Sequence, residues 1–285
     1  MNERGYGQSQ GMALLERVVE EVGPLFTIGE AHAAAADINP GLDQQRVRIL
    51  LSRLEQANWV ERLKRGLYVA RTSLLDTSVH PFAVAAALVS PCAISHWSAM
   101  AHHGLTTQIP PMVQASTTAR VVTPEMRHGS AYRPRGRAVW RACGYEFEFF
   151  YVQAKHFFGF QEAWVSQWHR VAITDPERTV LDLFANTGLF GSLQTALETL
   201  ETHLNELDID KLVAYALQYD VGALIKRLGW ALEALSVREQ TIAPLLAYPV
   251  RAYSQLDPTG PSGGTPIIRW RLRNNLPMEM PHAHR

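Results

Sequence analysis

The sequence predicts an α+β protein with an N-terminal winged helix-turn-helix, a mixed α/β region after it and a helical C-terminal part. Three observations lead to this fold class. Three helical patterns and two short strand patterns follow one another within about the first 70 residues. Strand and helix patterns then alternate up to about residue 174, and helical patterns dominate the rest of the chain.

The first two helices are predicted from their spacing and their end signals. Residues 12–22 carry apolar side chains three and four positions apart, and Gly23-Pro24 ends this helix. Thr27 can cap a second helix that reaches about Ala36, because Glu30 stands at the capping-box position.

A third helix is predicted over about residues 42–58, after the turn Asn39-Pro40-Gly41. Its apolar stripe contains Val47, Leu50, Leu51, Leu54 and Ala57. Two short strands, Trp59–Leu63 and Leu67–Ala70, follow the helix and are joined by Lys64-Arg65-Gly66. A hairpin after three helices is typical of the wing of a winged helix-turn-helix.

At 100° per residue, the third helix turns a polar face away from its apolar stripe. Long donors and amides on such a face read base edges, and flanking cations contact phosphates. We expect Gln45, Arg48 and Ser52 at base edges. The full set of predicted DNA-binding residues is Gln44, Gln45, Arg46, Arg48, Ser52, Arg53, Lys64 and Arg65. The alternatives are a merely solvated face, or a winged helix that binds protein.

The charge balance restricts where nucleic acid could bind. The 285 residues include 27 basic and 27 acidic side chains, which excludes a uniformly basic coat. Between Asp37 and Arg71, however, there are seven basic and four acidic side chains, so a basic surface would be local.

The two cysteines, Cys92 and Cys143, exclude a disulfide framework and a zinc ribbon. With no targeting or membrane-spanning pattern, we expect a cytoplasmic protein without a membrane partner.

The middle part runs from about His80 to Lys155. Its predicted elements are a helix near Phe82–Val89, a helix His96–His103 that Ser95 caps and Gly104 ends, and strands Val113–Thr117, Val121–Thr123 and Tyr145–Val152. An Arg-rich stretch before the last strand predicts a loop or an exposed hairpin, and it contains Arg120, Arg127, Arg133, Arg135, Arg137 and Arg141. This stretch is either a second nucleic-acid contact or a solubilising loop.

The third part is predicted to be mainly helical after a strand Val171–Thr174. Asp175-Pro176 opens a helix, with Asp as the cap and Pro at the first position. Further helices are predicted near Leu193–Leu204, Ile209–Tyr219 and Val221–Leu235, and one strand at Ile267–Leu272. We therefore predict a DNA-binding domain over residues 1–79 and a second domain over 80–285, divisible into 80–170 and 171–285.

Five blocks follow one another along the chain: Arg65-Gly66-Leu67-Tyr68, residues 95–106 (SHWSAMAHHGLT), residues 173–182 (ITDPERTVLD), Lys226-Arg227-Leu228-Gly229 and Trp270-Arg271-Leu272-Arg273-Asn274. Together they resemble the AbiEi antitoxins of type IV toxin–antitoxin systems, a family of bacterial transcriptional regulators. The stretch Ala33–Pro40 before the third helix is longer than the family pattern.

The resemblance implies a winged helix that represses its own promoter, and a C-terminal region that counteracts a nucleotidyltransferase-type toxin without a stable complex. Some members of the family act as plain regulators with no toxin partner, and that alternative stays open. Double-stranded DNA is the expected partner. A homodimer on an inverted-repeat operator is also expected.

The sequence gives little support for an enzymatic function. His96, His102 and His103 lack Cys or Glu at ligand spacing, so neither a metal nor another cofactor is expected. No Gly-x-Ser-x-Gly, P-loop or His-Glu-x-x-His motif occurs. Gln153-Ala154-Lys155 after a strand resembles a nuclease signature, but Gln153 is a poor metal ligand. The prediction is a protein that is not an enzyme.

Overall fold

The structure is a computed structural model that describes residues 3–71, 78–127 and 137–276. It is an α+β protein, as predicted. N-terminal helices carry a small three-stranded sheet, a central mixed sheet follows, and helices make up most of the C-terminal part.

Three helices and three strands form the N-terminal part: α1 Glu3–Val22, β1 Leu25–Thr27, α2 Ile28–Ile38, α3 Gln44–Gln56, β2 Val60–Lys64 and β3 Leu67–Ala70. α1 ends before Gly23, and Thr27 and Glu30 form the predicted capping box of α2. β3 lies between β1 and β2 and is antiparallel to both. This is the element order and sheet of a winged helix-turn-helix.

The apolar faces of these elements share one core. Val18 of α1, Phe26 of β1 and Val47 of α3 are almost completely buried together. Burial of an aliphatic or aromatic side chain of this size contributes about 1.5–3 kcal/mol relative to exposure. The core therefore determines which face of α3 points inward and which points outward.

The central part contains one six-stranded sheet in the order β6-β7-β5-β4-β9-β8. Its strands are β4 Ala93–Ile94, β5 Val113–Thr117, β6 Arg137–Ala142, β7 Tyr145–Tyr151, β8 Phe160–Trp164 and β9 Arg170–Thr174, with helices α4 Pro81–Leu88, α5 His96–His102 and α6 Pro124–Arg127 between them. The pairs β5–β7 and β4–β9 are parallel, while β6–β7 and β4–β5 are antiparallel.

The C-terminal part is built from five helices and a small sheet: α7 Pro176–Ala185, α8 Leu193–His203, α9 Ile209–Tyr219, α10 Gly222–Ala234, α11 Glu239–Ala247, β10 Ser254–Gln255, β11 Thr265–Ile267 and β12 Leu272–Asn274. α7 and α10 supply much of its core, and Trp270 is completely buried within it. Among the described residues, no helix combines the length and the apolar character that a membrane crossing requires.

The chain forms two compact units that interleave along the sequence. Unit 1 contains Met1–Ile94, Pro111–Val152 and Glu162–Ile173, and unit 2 contains Ser95–Pro110, Gln153–Gln161 and Thr174–Arg285. The winged helix and most strands of the central sheet thus belong to the same unit. The predicted domain boundary at residues 79 and 80 stays a prediction.

Two predicted strands are wrong. Residues 121–123 form no strand, because buried Thr123 instead accepts a hydrogen bond from Met126 N–H at the start of α6. The single strand expected at Ile267–Leu272 is two short strands, β11 and β12, which pair antiparallel around a turn.

Two side chains also differ from expectation. Ser95 stands at the N-cap of α5, but its Oγ bonds His96 Nδ1 at 2.7 Å and caps no backbone N–H of the helix. Ala57 is exposed, because α3 ends at Gln56 and the chain turns there. The strands β1, β8 and β10 and the helices α6 and α11 were not predicted.

Candidate nucleic-acid interface

α3 is held by its cap and by its apolar stripe. Asp43 accepts a hydrogen bond from Arg46 N–H at 2.8 Å and so begins the helix. The buried residues of the stripe are Val47, Leu50, Leu51 and Leu54, and the helix packs against α1 and α2. This packing leaves the opposite face of α3 in solvent.

Every α3 residue that the sequence assigns to DNA lies on this exposed surface: Gln44, Gln45, Arg46, Arg48, Ser52 and Arg53. Local hydrogen bonds orient two of the guanidinium groups. Arg46 Nη1 donates to Gly41 O at 3.2 Å, and Arg48 Nη2 donates to Gln44 Oε1 at 3.3 Å. Both groups stay exposed, so such weak local bonds can exchange for a ligand.

Sequence reasoning missed Ile49. At 100° per residue it lies 200° from Val47, near the centre of the outward face, and 47 % of its surface is exposed. The prediction considered only the polar residues of this face. The signal in the sequence that identifies Ile49 is its position, because it is an apolar residue outside the apolar stripe of α3.

The two predicted cations of the wing, Lys64 and Arg65, have different surroundings. Lys64 Nζ donates to Leu88 O at 3.0 Å, and its partial burial lowers the pKa of the amine. Lys64 is therefore engaged at the C-terminal end of α4, within unit 1. Arg65 at the tip is exposed, and so is Arg62 on β2, which the prediction did not include.

Most acidic side chains near this surface already have partners. Asp43 caps α3, Glu61 forms an ion pair with Arg71, and Asp37 pairs with Arg17 at 3.0 Å. The guanidinium groups that remain on the surface belong to Arg46, Arg48, Arg53, Arg62 and Arg65. The basic excess of this stretch is thus concentrated on α3 and the wing.

Other parts of unit 1 hold the winged helix in place. A Cβ atom at Gly23, where φ is 92°, would lie 2.7 Å from the Trp168 ring, so the backbone and the indole are in close contact. His169 hydrogen-bonds the backbone of Leu25 and receives a 2.9 Å contact from Ser166 Oγ. Burial lowers the pKa of His169, and this effect outweighs the opposing influence of the Leu25 bond and Glu30.

The Arg-rich stretch is only partly a loop. Arg137 and Arg141 lie on β6, where they pair with Glu148 at 2.6 Å and Glu146 at 2.7 Å on β7. These two charges are compensated across the hairpin, which weakens the expectation of a second nucleic-acid contact. Arg120 and Arg127 are exposed, whereas Arg133 and Arg135 lie outside the described residues.

A second polar cluster lies in unit 2, around the start of α7. Asp175 caps the helix and also accepts a 2.8 Å hydrogen bond from Tyr215 Oη. Lys211 Nζ lies 3.0 Å from Asp175 Oδ2 and 2.8 Å from Glu177 Oε2. Burial alone would raise the pKa of Glu177, but the Lys211 bond and backbone N–H donors outweigh it and lower that pKa. The cluster ties α7 to α9.

Arg178, the next residue of the same block, also forms its contacts inside unit 2. Its Nε lies 3.0 Å from Asp182 Oδ1, its Nη1 donates to Phe158 O at 2.9 Å, and its guanidinium stacks over the Phe158 ring. With the side chain only 4 % exposed, Arg178 cannot reach a ligand at the surface. Its role is to hold the segment that contains Phe158.

The Lys-Arg-Leu-Gly block has structural roles as well. Lys226 Nζ donates to the carbonyl oxygens of Leu245 and Leu246 near the end of α11, at 2.9 and 2.6 Å. Arg227 donates to Phe184 O in the last turn of α7 and to Gln255 O. Both cations therefore satisfy backbone carbonyl groups that helix ends leave unpaired.

The histidines of α5 and of its C-cap lie in unit 2. His103 Nε2 is 2.6 Å from Thr174 O, and the buried His96 ring stacks on Phe190. Within residues 3–71, 78–127 and 137–276, no group of three His, Cys, Asp or Glu side chains is arranged to hold a metal ion.

The sequence matches no family model and no curated protein. The structure is similar to the crystal structure of the RV2827C protein from Mycobacterium tuberculosis, with a TM-score of 0.61 and 12 % sequence identity. The likeness covers 93 % of this chain and 90 % of that chain. At this identity it shows a shared fold over nearly the whole of both chains.

Proposed function

We propose that the protein is a DNA-binding transcriptional regulator in which α3 enters the major groove and the wing lies on the sugar-phosphate backbone. The observation that supports this is the composition of one exposed surface. Amide, hydroxyl and guanidinium groups occupy the outward face of α3 together with the exposed Ile49. Of the four acidic side chains between residues 37 and 71, Asp43 caps α3, Asp37 and Glu61 form ion pairs, and Glu55 is exposed on α3. An α-helix of this kind fits the width of the major groove.

The exposed side chains divide into two roles. Gln45, Arg48 and Ser52 face outward from α3 and read base edges. Arg46 and Arg53 flank that face and contact phosphates, which position the protein without carrying sequence information.

On the wing, we assign the phosphate contacts to Arg65, as the sequence predicts, and to Arg62 in place of the predicted Lys64. Lys64 is engaged with Leu88 O, whereas both arginines are exposed.

The test is DNA binding by the full chain. Sequences selected from a randomised duplex pool would provide a target, and affinities would be measured as a function of salt. Arg48→Ala should weaken binding to the selected target about 5- to 150-fold and relax preference at one position. The double change Arg62→Ala with Arg65→Ala should weaken binding to all sequences and reduce the salt slope by about 2.

Two matched controls separate charge from position. Arg251→Ala removes an exposed arginine of unit 2 and should leave affinity and salt slope unchanged. Lys64→Ala should lower stability and leave the salt slope nearly unchanged, because its amine is engaged with Leu88. If no salt-dependent DNA retention occurs, the proposal is wrong, and a solvated face or a protein-binding winged helix remains.

The resemblance to AbiEi antitoxins suggests a finer role. We propose that the protein represses its own operon and, through residues after about 80, counteracts a nucleotidyltransferase-type toxin without a stable complex. Co-expression with a nucleotidyltransferase encoded beside it tests this role. Arg48→Ala should then abolish repression and keep protection from the toxin. If growth stays inhibited with the unaltered chain, the protein is a plain regulator.

A further inference from the structure

Ile49 is an apolar side chain at the centre of a polar face. It is 47 % exposed, whereas the four other large apolar residues of α3 are buried. It therefore contributes little to the core of the winged helix. Gln45 lies one turn before it on the same face, and Ser52 lies one turn after it.

The major groove offers one apolar feature for such a side chain. The C5-methyl group of thymine projects into the groove, and apolar contact with it distinguishes thymine from the other bases. Glutamine recognises adenine, because its amide forms two hydrogen bonds to N6 and N7. Residues 45 and 49 are about 6 Å apart along the helix axis, which corresponds to about two base-pair steps.

We infer that α3 reads a short A·T-containing stretch, with Ile49 against a thymine methyl group and Gln45 on an adenine within two base pairs of it. This inference rests on the proposed DNA binding and specifies which sequences it prefers. Duplex DNA is the ligand class that the surroundings favour, because Arg46, Arg48 and Arg53 surround the apolar position with positive charge.

Deoxyuridine substitution tests the inference, because uracil differs from thymine only by the missing methyl group. Each thymine of a selected target is replaced in turn, and affinity is measured at fixed salt with the full chain. The unaltered protein should lose about fourfold at one thymine, the factor expected for one buried methyl group. Ile49→Ala should show no difference between thymine and uracil at that position.

Ile38→Ala is the matched control. It makes the same change at another exposed isoleucine of the winged helix, 39 % exposed on α2, and should keep the fourfold difference. Gln45→Ala should lose the preference for adenine within two base pairs of the sensitive thymine. Far-UV circular dichroism would confirm that all three variants are folded.

The outcomes distinguish this inference from the function on which it rests. Equal sensitivity to uracil in the unaltered protein and in Ile49→Ala overturns the methyl contact and leaves DNA binding intact. Selected targets without a sensitive thymine overturn it in the same way. A pool in which no sequence is enriched and no DNA is retained overturns the proposed function itself.

Discussion

Gly229 lies where unit 2 has no room for a side chain. A Cβ atom at this position of α10 would lie 2.2 Å from Trp270 Cζ3 and 2.4 Å from Cη2. Carbon atoms in ordinary contact are about 3.5–4.0 Å apart, so the ring would have to move by more than about 1 Å. Trp270 is completely buried, and its Nε1 donates to Glu233 Oε2 at 2.5 Å, which limits this movement.

Two effects determine the magnitude for Gly229→Ala. Overpacking a core costs about 1–3 kcal/mol, and a clash of this depth with a fixed ring belongs near the upper end. Alanine in place of glycine inside a helix returns about 0.5–1 kcal/mol. We therefore expect the free energy of unfolding to fall by about 2 kcal/mol.

A double-mutant cycle with Trp270→Phe isolates the clash. The smaller phenyl ring lacks the indole atoms that a Cβ at position 229 would strike, so Gly229→Ala should cost at least about 1 kcal/mol less in the Trp270→Phe background. Urea unfolding followed by circular dichroism measures all four proteins. Gly29→Ala on α2 is the control. A Cβ atom at Gly29 would meet Thr27 Oγ1 at an ordinary contact distance of 3.7 Å, so this change should not lower the free energy of unfolding. An equal cost in both backgrounds would refute the steric reasoning.

Three further predictions concern buried polar groups. Lys226→Met leaves the Leu245 carbonyl without its donor and should cost about 1–3 kcal/mol in urea unfolding. Lys211→Met should lower the free energy of unfolding at pH 7 and lower it less at about pH 3.5. The reason is that the folded protein lowers the pKa of Glu177, so this carboxylate stabilises the fold above its unfolded-state pKa and the contribution is lost as the pH falls. Burial lowers the pKa of His169 in the folded state, so below about pH 6.5 the unfolded state binds more protons than the folded state and the free energy of unfolding should fall. His169→Asn should make the difference in stability between about pH 5 and pH 7.5 smaller, as measured by unfolding curves at both values.

Local signals were sufficient for most of the fold. The capping box at Thr27 and Glu30 and the Asp175-Pro176 helix start are confirmed, because each depends on hydrogen bonds between residues within three positions. The buried stripe of α3 is confirmed for the same reason, since the helical period alone separates its two faces.

Features that depend on distant partners could not be predicted in this way. β1 has only three residues and exists because it pairs with β3, about 40 positions along the chain. Lys64 was assigned to phosphate from its place on the hairpin, but Leu88 O satisfies its amine. Arg137 and Arg141 were predicted as cations of a loop or an exposed hairpin, but they form ion pairs with Glu148 and Glu146 on the neighbouring strand β7.

The blocks that carry the family resemblance and the surface that carries the proposed activity have different physical constraints. Arg178, Lys226 and Gly229 are buried or tightly packed, and each supports the fold of unit 2. Their substitution is costly for any function that this fold serves. Gln45 and Ile49 are exposed and can change without loss of the fold. A shared fold with 12 % identity therefore leaves the side chains on the outward face of α3 free to differ, and the proposed DNA target has to be determined from this chain's own α3.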